Sequence, residues 1–185
     1  CMRGIYARWD DEAFSGFMTR FSLPTVKTVK DYSRGMKMKL AIAAAMSHHA
    51  KLLILDEATS GLDPVVRDDI LDVFNEFTRE EDHSILLSSH IVSDMEKICD
   101  YVVFLHQGSV VLSEEKDMLL EKYALLAMNQ AQYDAMPKEG MLRKLDAHGA
   151  LRVLMERQYM PHGAEPERLG LEEMMLMIEK GEKVK

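Results

Sequence analysis

Near the N-terminus the apolar residues Phe14, Phe17, Met18 and Phe21 recur at helical spacing over residues 9–21, with Asp10 and Asp11 at the positive end of that helix. Pro24 ends the pattern. Met36, Leu40, Ala43, Ala44 and Met46 predict a second helix from Arg34 to His48, with Ser33 placed to cap it. At 52–55 the texture changes to an unbroken run, LLIL, which reads as a strand buried on both faces. It leads directly into Asp56, Glu57 and a Ser-Gly turn, which is not how a core strand ordinarily ends. Asp63 as cap and Pro64 at the first helical position open a helix to about Glu80. SILLSSH is a second buried-strand pattern, and a short helix follows from Ile91 to Cys99. Strand, helix, strand predicts a right-handed parallel crossover. YVVFLHQGSVVLS, residues 101–113, predicts two antiparallel strands turning at Gln107 and Gly108.

After a helix ending near Tyr123 the elements shorten, separated by Pro137, Gly140, Gly149, Pro161, Gly163, Pro166 and Gly170. ALLAM and LRVLMER read as strands and LEEMMLMIEK as a closing helix. The expected fold class is therefore α/β, with parallel strands, an antiparallel edge and a small α+β appendage at the C-terminus.

Composition narrows the function classes. With 185 residues, 47% hydrophobic and 29% charged, the chain has material for one sizeable core and a small addition. The 23 basic and 31 acidic side chains give a net charge of -8, so no general attraction to nucleic acid or to anionic lipid is expected. Cys1 and Cys99 have no paired spacing, which argues against a disulfide framework or zinc site and for a reducing compartment. The longest apolar run, LAIAAAM, is less than half a membrane span. Residue 1 is Cys, and the N-terminus is expected to be cut. His48 and His49 read as a solvated helix end, the fifteen Met residues as core packing, and Asp146 and His148 as turn residues.

The acids at 56 and 57 carry the chemistry. Burying one aliphatic side chain gains roughly 1.5 to 3 kcal/mol, whereas an unpaired buried carboxylate costs several, so the pair must face a wet cleft or a cation. The carboxyl ends of parallel strands are where open α/β sheets bind ligands, and successive strand residues point apart, so one acid can face a metal and the other a reacting water. In DYSRGMKMKL, residues 31–40, Arg34, Lys37 and Lys39 crowd the positive end of a helix, an arrangement that an arriving phosphate would stabilise. A capped helix with a solvated basic face is the alternative. His90 ends the neighbouring strand, where one crossover would bring it into the crevice of Asp56.

Taken together these segments resemble the ATP-binding subunit of ABC transporters, most nearly the bacterial export-type subgroup with SRGMK-like signatures. YSRGM is similar to the family's LSGGQ signature, LLILDE to its Walker B strand, SGLD to its D-loop, and Ser89-His90 to its switch histidine. The resemblance covers about residues 9–122 and implies a partial P-loop NTPase fold. It divides the chain into a helical signature subdomain (1–50), the C-terminal half of the ATPase core (51–122) and an accessory domain (123–185). It further implies that Asp56 holds Mg²⁺, that Glu57 deprotonates the attacking water and that His90 senses the γ-phosphate. Ser33, Arg34 and Gly35 would contact ATP on the opposite subunit, and Asp63 would reach across the dimer interface, although helix capping explains Asp63 equally well. The implied partners are transmembrane permease subunits and a second ATPase subunit, with no nucleic acid, and the implied location is the cytoplasmic face of the cell membrane.

Three departures qualify the resemblance. Arg34 stands for a signature glycine and Met36 for its glutamine, and Ala58 stands where many relatives have proline. More consequentially, no Gly in the chain is followed by Lys, so G-x-x-x-x-G-K-[ST] is absent. The phosphate loop is expected before Cys1, the chain is expected to be a fragment, and alone it is expected to turn ATP over negligibly. A soluble ABC ATPase and a truncated, non-catalytic binding module are the competing readings.

Overall fold

The computed structural model describes residues 4–147 and 149–184, so Cys1 and His148 lie outside the described residues. Two compact units divide between Asp94 and Met95.

In the first unit, α1 (Asp11–Arg20) starts where the Asp10 carboxylate accepts from the Ala13 N–H at 2.9 Å. α2 (Arg34–Met46) packs against it and closes with the buried Ser47 hydroxyl donating to the Ala43 carbonyl at 2.6 Å. β1 (Leu52–Asp56) and β2 (Ser84–Ser88) are joined through α3 (Pro64–Phe77) and pair in parallel, in a register that sets Asp56 beside Ser88. α3 contributes Ile70, Leu71, Val73, Phe74 and Phe77 to the core, joined by Ile42 and Ala43 of α2 and by Leu53. Salt bridges brace the surface: Arg20 binds both Glu76 carboxylate oxygens at 2.5 and 2.7 Å, and Lys51 pairs with Asp82. These contacts hold the Glu76 and Asp82 carboxyls below their ordinary range, in each case chiefly through the hydrogen bond from the cation.

Three expectations change here. The strands at 52–55 and 84–88 are covered on one face only: Leu53 is buried and Leu55, Ile85 and Leu87 are half-buried, while Leu52, Ile54 and Leu86 remain 54%, 71% and 62% exposed. Alternation places the exposed three on the opposite face, which nothing among the described residues covers. His48 is only partly solvated, its ring stacking on Tyr6 at 4.2 Å, whereas His49 is exposed as expected. Lys39 does not belong to a basic anion-facing cluster, because it is buried, donates to Asp69 at 2.7 Å and lies over the Phe21 ring.

In the second unit β3 (Tyr101–His106) and β4 (Ser109–Glu115) form the antiparallel pair, with Gln107 and Gly108 both at positive φ in the turn. α5 (Lys116–Lys122) leads into a four-stranded antiparallel sheet of order β5-β7-β6-β8, made of β5 (Tyr123–Met128), β6 (Met141–Ala147), β7 (Ala150–Glu156) and β8 (Glu182–Lys183). The capped helix α6 (Gln130–Ala135) follows β5. α7 (Leu171–Lys180) buries Leu171, Met174, Met177 and Ile178. Met128, Met141, Met155, Met174 and Met177 pack core, as expected, whereas Met118 is exposed. Asp146 is not a turn residue: it lies in β6, opposite Leu151. Between β2 and β3, α4 (Val92–Ile98) spans the division of the units.

Candidate functional site: the carboxyl ends of two parallel strands

Pairing in parallel brings the last residues of β1 and β2 to the same end of the sheet. The Ser88 hydroxyl donates to Asp56 Oδ1, and Ser88 also receives the Glu57 N–H on its carbonyl oxygen at 3.0 Å. Ser88 therefore positions both acids, a role its sequence did not advertise. Glu57 takes φ +50°, left-handed backbone that few non-glycine residues adopt. That conformation ends the strand and turns the Glu57 side chain away from the pleat. Its Oε2 lies 2.7 Å from Nδ1 of the exposed His90, a charge contact when the imidazole is protonated, and is without an aligned hydrogen bond.

The turn after the acids is tight: the Ser60 N–H donates to the Glu57 carbonyl and the Leu62 N–H to the Thr59 carbonyl, at 3.1 and 3.4 Å. Gly61 takes φ +67° and carries the Arg34 guanidinium against it, since a Cβ there would lie 2.5 Å from Arg34 Nη1. Asp63 then caps α3, accepting from the Val66 N–H at 3.0 Å.

Ser33 caps α2, its hydroxyl accepting from the Met36 N–H at 3.2 Å. Gly35 backs onto α3, where an added Cβ would lie 3.3 Å from Val66 Cγ1. The structure thus gathers the predicted residues into two neighbourhoods of the first unit. One comprises Asp56, Glu57 and His90 around Ser88, and the other Ser33, Arg34 and Gly35 against the 61–66 segment, with the 57–62 turn leading from one to the other.

For magnesium, the donor set fits a hydrated ion rather than a protein cage. Asp56 is exposed, with only Oδ1 engaged among the described residues, and no cluster of three potential ligands occurs among them. One carboxylate with water and substrate phosphate oxygens is a usual Mg²⁺ environment.

Sequence reasoning missed a further group, Arg67 and Asp94. Their side chains are 28% and 2% exposed, and Arg67 Nη1 lies 4.0 Å from Asp94 Oδ1. The available signal was position: Asp94 of α4 shares the apolar spacing of Ile98 and of Ile91 just before the helix, where an acid needs a buried partner.

Residues 7–60 match the family described as ABC transporter. The ABC transporter ATP-binding protein YtrB of Bacillus subtilis is 32% identical over 127 residues, 69% of this chain and 44% of that protein. The lantibiotic transport ATP-binding protein SrtF of Streptococcus pyogenes is 40% identical over 91 residues, 49% of this chain and 39% of its own length. The bacitracin transport ATP-binding protein BcrA of Enterococcus faecalis is 42% identical over 85 residues, 46% and 28% of the two chains. A solved structure described as an ATP binding subunit of an ABC transporter superposes with TM-score 0.52 at 32% identity, covering 58% of this chain and 45% of that one. The chain spans less than half the length of these relatives. Through the stretch that carries the acid pair, residues 7–60, the chain thus matches the ABC transporter family and is similar to ATP-binding subunits of such transporters.

Proposed function

We propose that this chain is the part of an export-type ABC ATPase that activates water and lends a signature segment to a second subunit. The observation that carries the reading is the meeting of Glu57 and His90, 2.7 Å apart, beside Asp56 at the ends of two paired strands. Within it, residues 1–50 supply the signature helix, 51–122 the hydrolytic half of the core and 123–185 an accessory domain.

Glu57 takes a proton from water as the water oxygen bonds to the γ-phosphorus of ATP. The bond to the bridging oxygen breaks, and ADP and phosphate leave. Asp56 would hold a hydrated Mg²⁺, whose charge would offset that of the phosphates. With Nδ1 turned to Glu57, His90 has Nε2 left for a γ-phosphate oxygen. Ser33 and the Gly35 backbone face the γ-phosphate bound on the opposite subunit, Arg34 borders it, and Asp63 approaches the same interface while capping α3. ATP draws two subunits together, hydrolysis lets them part, and permease partners in the membrane convert that cycle into transport from the cytoplasmic side. No helix among the described residues is long and apolar enough to cross a membrane, which is consistent with a separate membrane partner.

In the complete subunit, Glu57→Gln is expected to abolish ATP hydrolysis while trapping an ATP-bound dimer. Normal hydrolysis by that variant, measured as phosphate release, defeats the assignment. The 185-residue chain alone is expected to turn over negligibly, and turnover that Glu57→Gln abolishes would refute that expectation. The competing reading is a binding module that offers Ser33 to a complete partner without hydrolysing ATP itself. Such a module would raise the partner's hydrolysis even when it carries Glu57→Gln.

A further inference from the structure

The unit that carries the acid pair also holds a buried carboxyl group that the hydrolytic reading does not use. Asp94 is 2% exposed, and its Oδ2 has no hydrogen-bond partner among the described residues. The nearest cation is Arg67: Nη1 stands 4.0 Å from Asp94 Oδ1, Nη2 donates to the Leu62 carbonyl at 3.5 Å, and Nε is also without a partner. A buried carboxylate with so little compensation is expensive to keep, and an apolar pair of the same volume would ordinarily serve packing better. Placement supplies a reason to retain it. Leu62 ends the tight turn that begins at Glu57, while Asp94 lies four residues after His90, in the first turn of α4. Arg67 therefore touches both the turn leaving the water-activating acid and the helix following the histidine.

We infer that Arg67 and Asp94 are a positioning pair, holding the Glu57–Leu62 turn in register with the segment that carries His90. The unused Nε–H on one partner and the unused Oδ2 on the other leave room for a closer, two-bond approach of guanidinium to carboxylate. Such closure would set the spacing of Glu57 and His90 when the site is loaded. Neither residue touches the reacting atoms. The inference rests on the hydrolytic reading of Glu57 and His90.

The test uses the complete ATP-binding assembly containing this chain, with kcat and KM for ATP expressed per folded molecule. Asp94→Asn keeps volume without charge, and Arg67→Met keeps the stem without the guanidinium. Each is expected to lower kcat about tenfold while KM moves less than about twofold, because register rather than ATP binding is lost. Combining them is expected to slow turnover no further than the slower single change, as for residues acting through one contact. A pair serving only packing would lower thermal stability and leave kcat per folded molecule intact, and that result overturns the inference, as would losses that multiply in the double variant. If either single variant fails to fold, the double variant, which strands no buried charge, decides alone: reduced kcat at unchanged KM supports the pair and full kcat refutes it. Glu57→Gln run in parallel separates the two levels. If Glu57→Gln is silent and the pair variants are fully active, only the pair fails; if Glu57→Gln is fully active, both readings fall.

Discussion

The four-stranded antiparallel sheet β5-β7-β6-β8 and the parallel pair β1-β2 bury their faces differently. In the C-terminal unit, Leu125, Leu126, Val153, Leu154 and Met155 of the antiparallel sheet are all buried, as is the apolar side of α7. In the N-terminal unit, one face of the parallel pair is bare. Among the described residues, the buried side-chain polar atoms without hydrogen-bond partners, on Glu57, Thr59, Arg67 and Asp94, all belong to that same unit. The better-closed sheet offers no reactive constellation among its described residues, and the parallel pair, with one face bare, ends in the acids and the histidine; a bare face alone does not mark a site, since Tyr101, Val103 and Leu105 of β3 are exposed as well. Unpartnered polar groups are costly in a core and useful in a site, and their distribution marks which unit is built for which purpose.

That contrast can be broken by substitution. Leu154→Ala should destabilise the C-terminal unit by about 2–5 kcal/mol, the range for emptying a closed core, while Leu86→Ala on the bare face should change stability by no more than about 0.5 kcal/mol. Urea unfolding of both variants checks this, and equal losses would show that the exposed face is covered in solution. A smaller effect, about 1 kcal/mol, is expected for Asp63→Ala, which removes the α3 cap and with it the anchor of the turn after the acid pair. Amide exchange across α3 should rise correspondingly.

Acid should also separate the units. The Glu76 and Asp82 carboxyls lie below their ordinary values of 4.5 and 3.8, so they stabilise the first unit above those values. Their contribution is lost as pH falls through the lower, folded-state values. The salt-bridged shift in the second unit has the opposite sign: Lys122 is raised, chiefly by its hydrogen bond to Glu114, and its contribution is lost only as pH rises through the alkaline range. Hydrogen exchange followed downward from pH 5 should therefore show protection fading first in residues 4–94. The gentlest test is chemical. Burial pushes the Cys99 thiol above its ordinary value, so labelling by a thiol reagent at neutral pH should be slower than for a free cysteine and should quicken on unfolding.

The helices and strands of the first unit were legible because their signals were local: Asp10, Ser33 and Asp63 at caps, Pro64 at a helix start, and unbroken aliphatic runs in β1 and β2. The convergence of Asp56, Glu57 and His90 was legible because parallel strands joined by one helix must end together. The register that put Ser88 between the two acids was not, since it depends on which residues of β2 face β1. β6 was overlooked because Arg143, Lys144 and Asp146 interrupt its apolar pattern, and its strand character comes from lying between β7 and β8 rather than from its own composition. The pairing of Arg67 with Asp94 was hidden for a similar reason: position marks Asp94 as an acid in need of a partner, but Arg67 stands 27 positions away and no local rule joins the two at that range.

Gly61 is reserved by its backbone more than by its neighbour. The exposed end of the long cation at position 34 can swing aside for a side chain at 61, whereas the left-handed φ of +67° cannot be relieved so cheaply. A survey of tolerated amino acids should therefore find glycine kept at 61 even when the residue at 34 is made small.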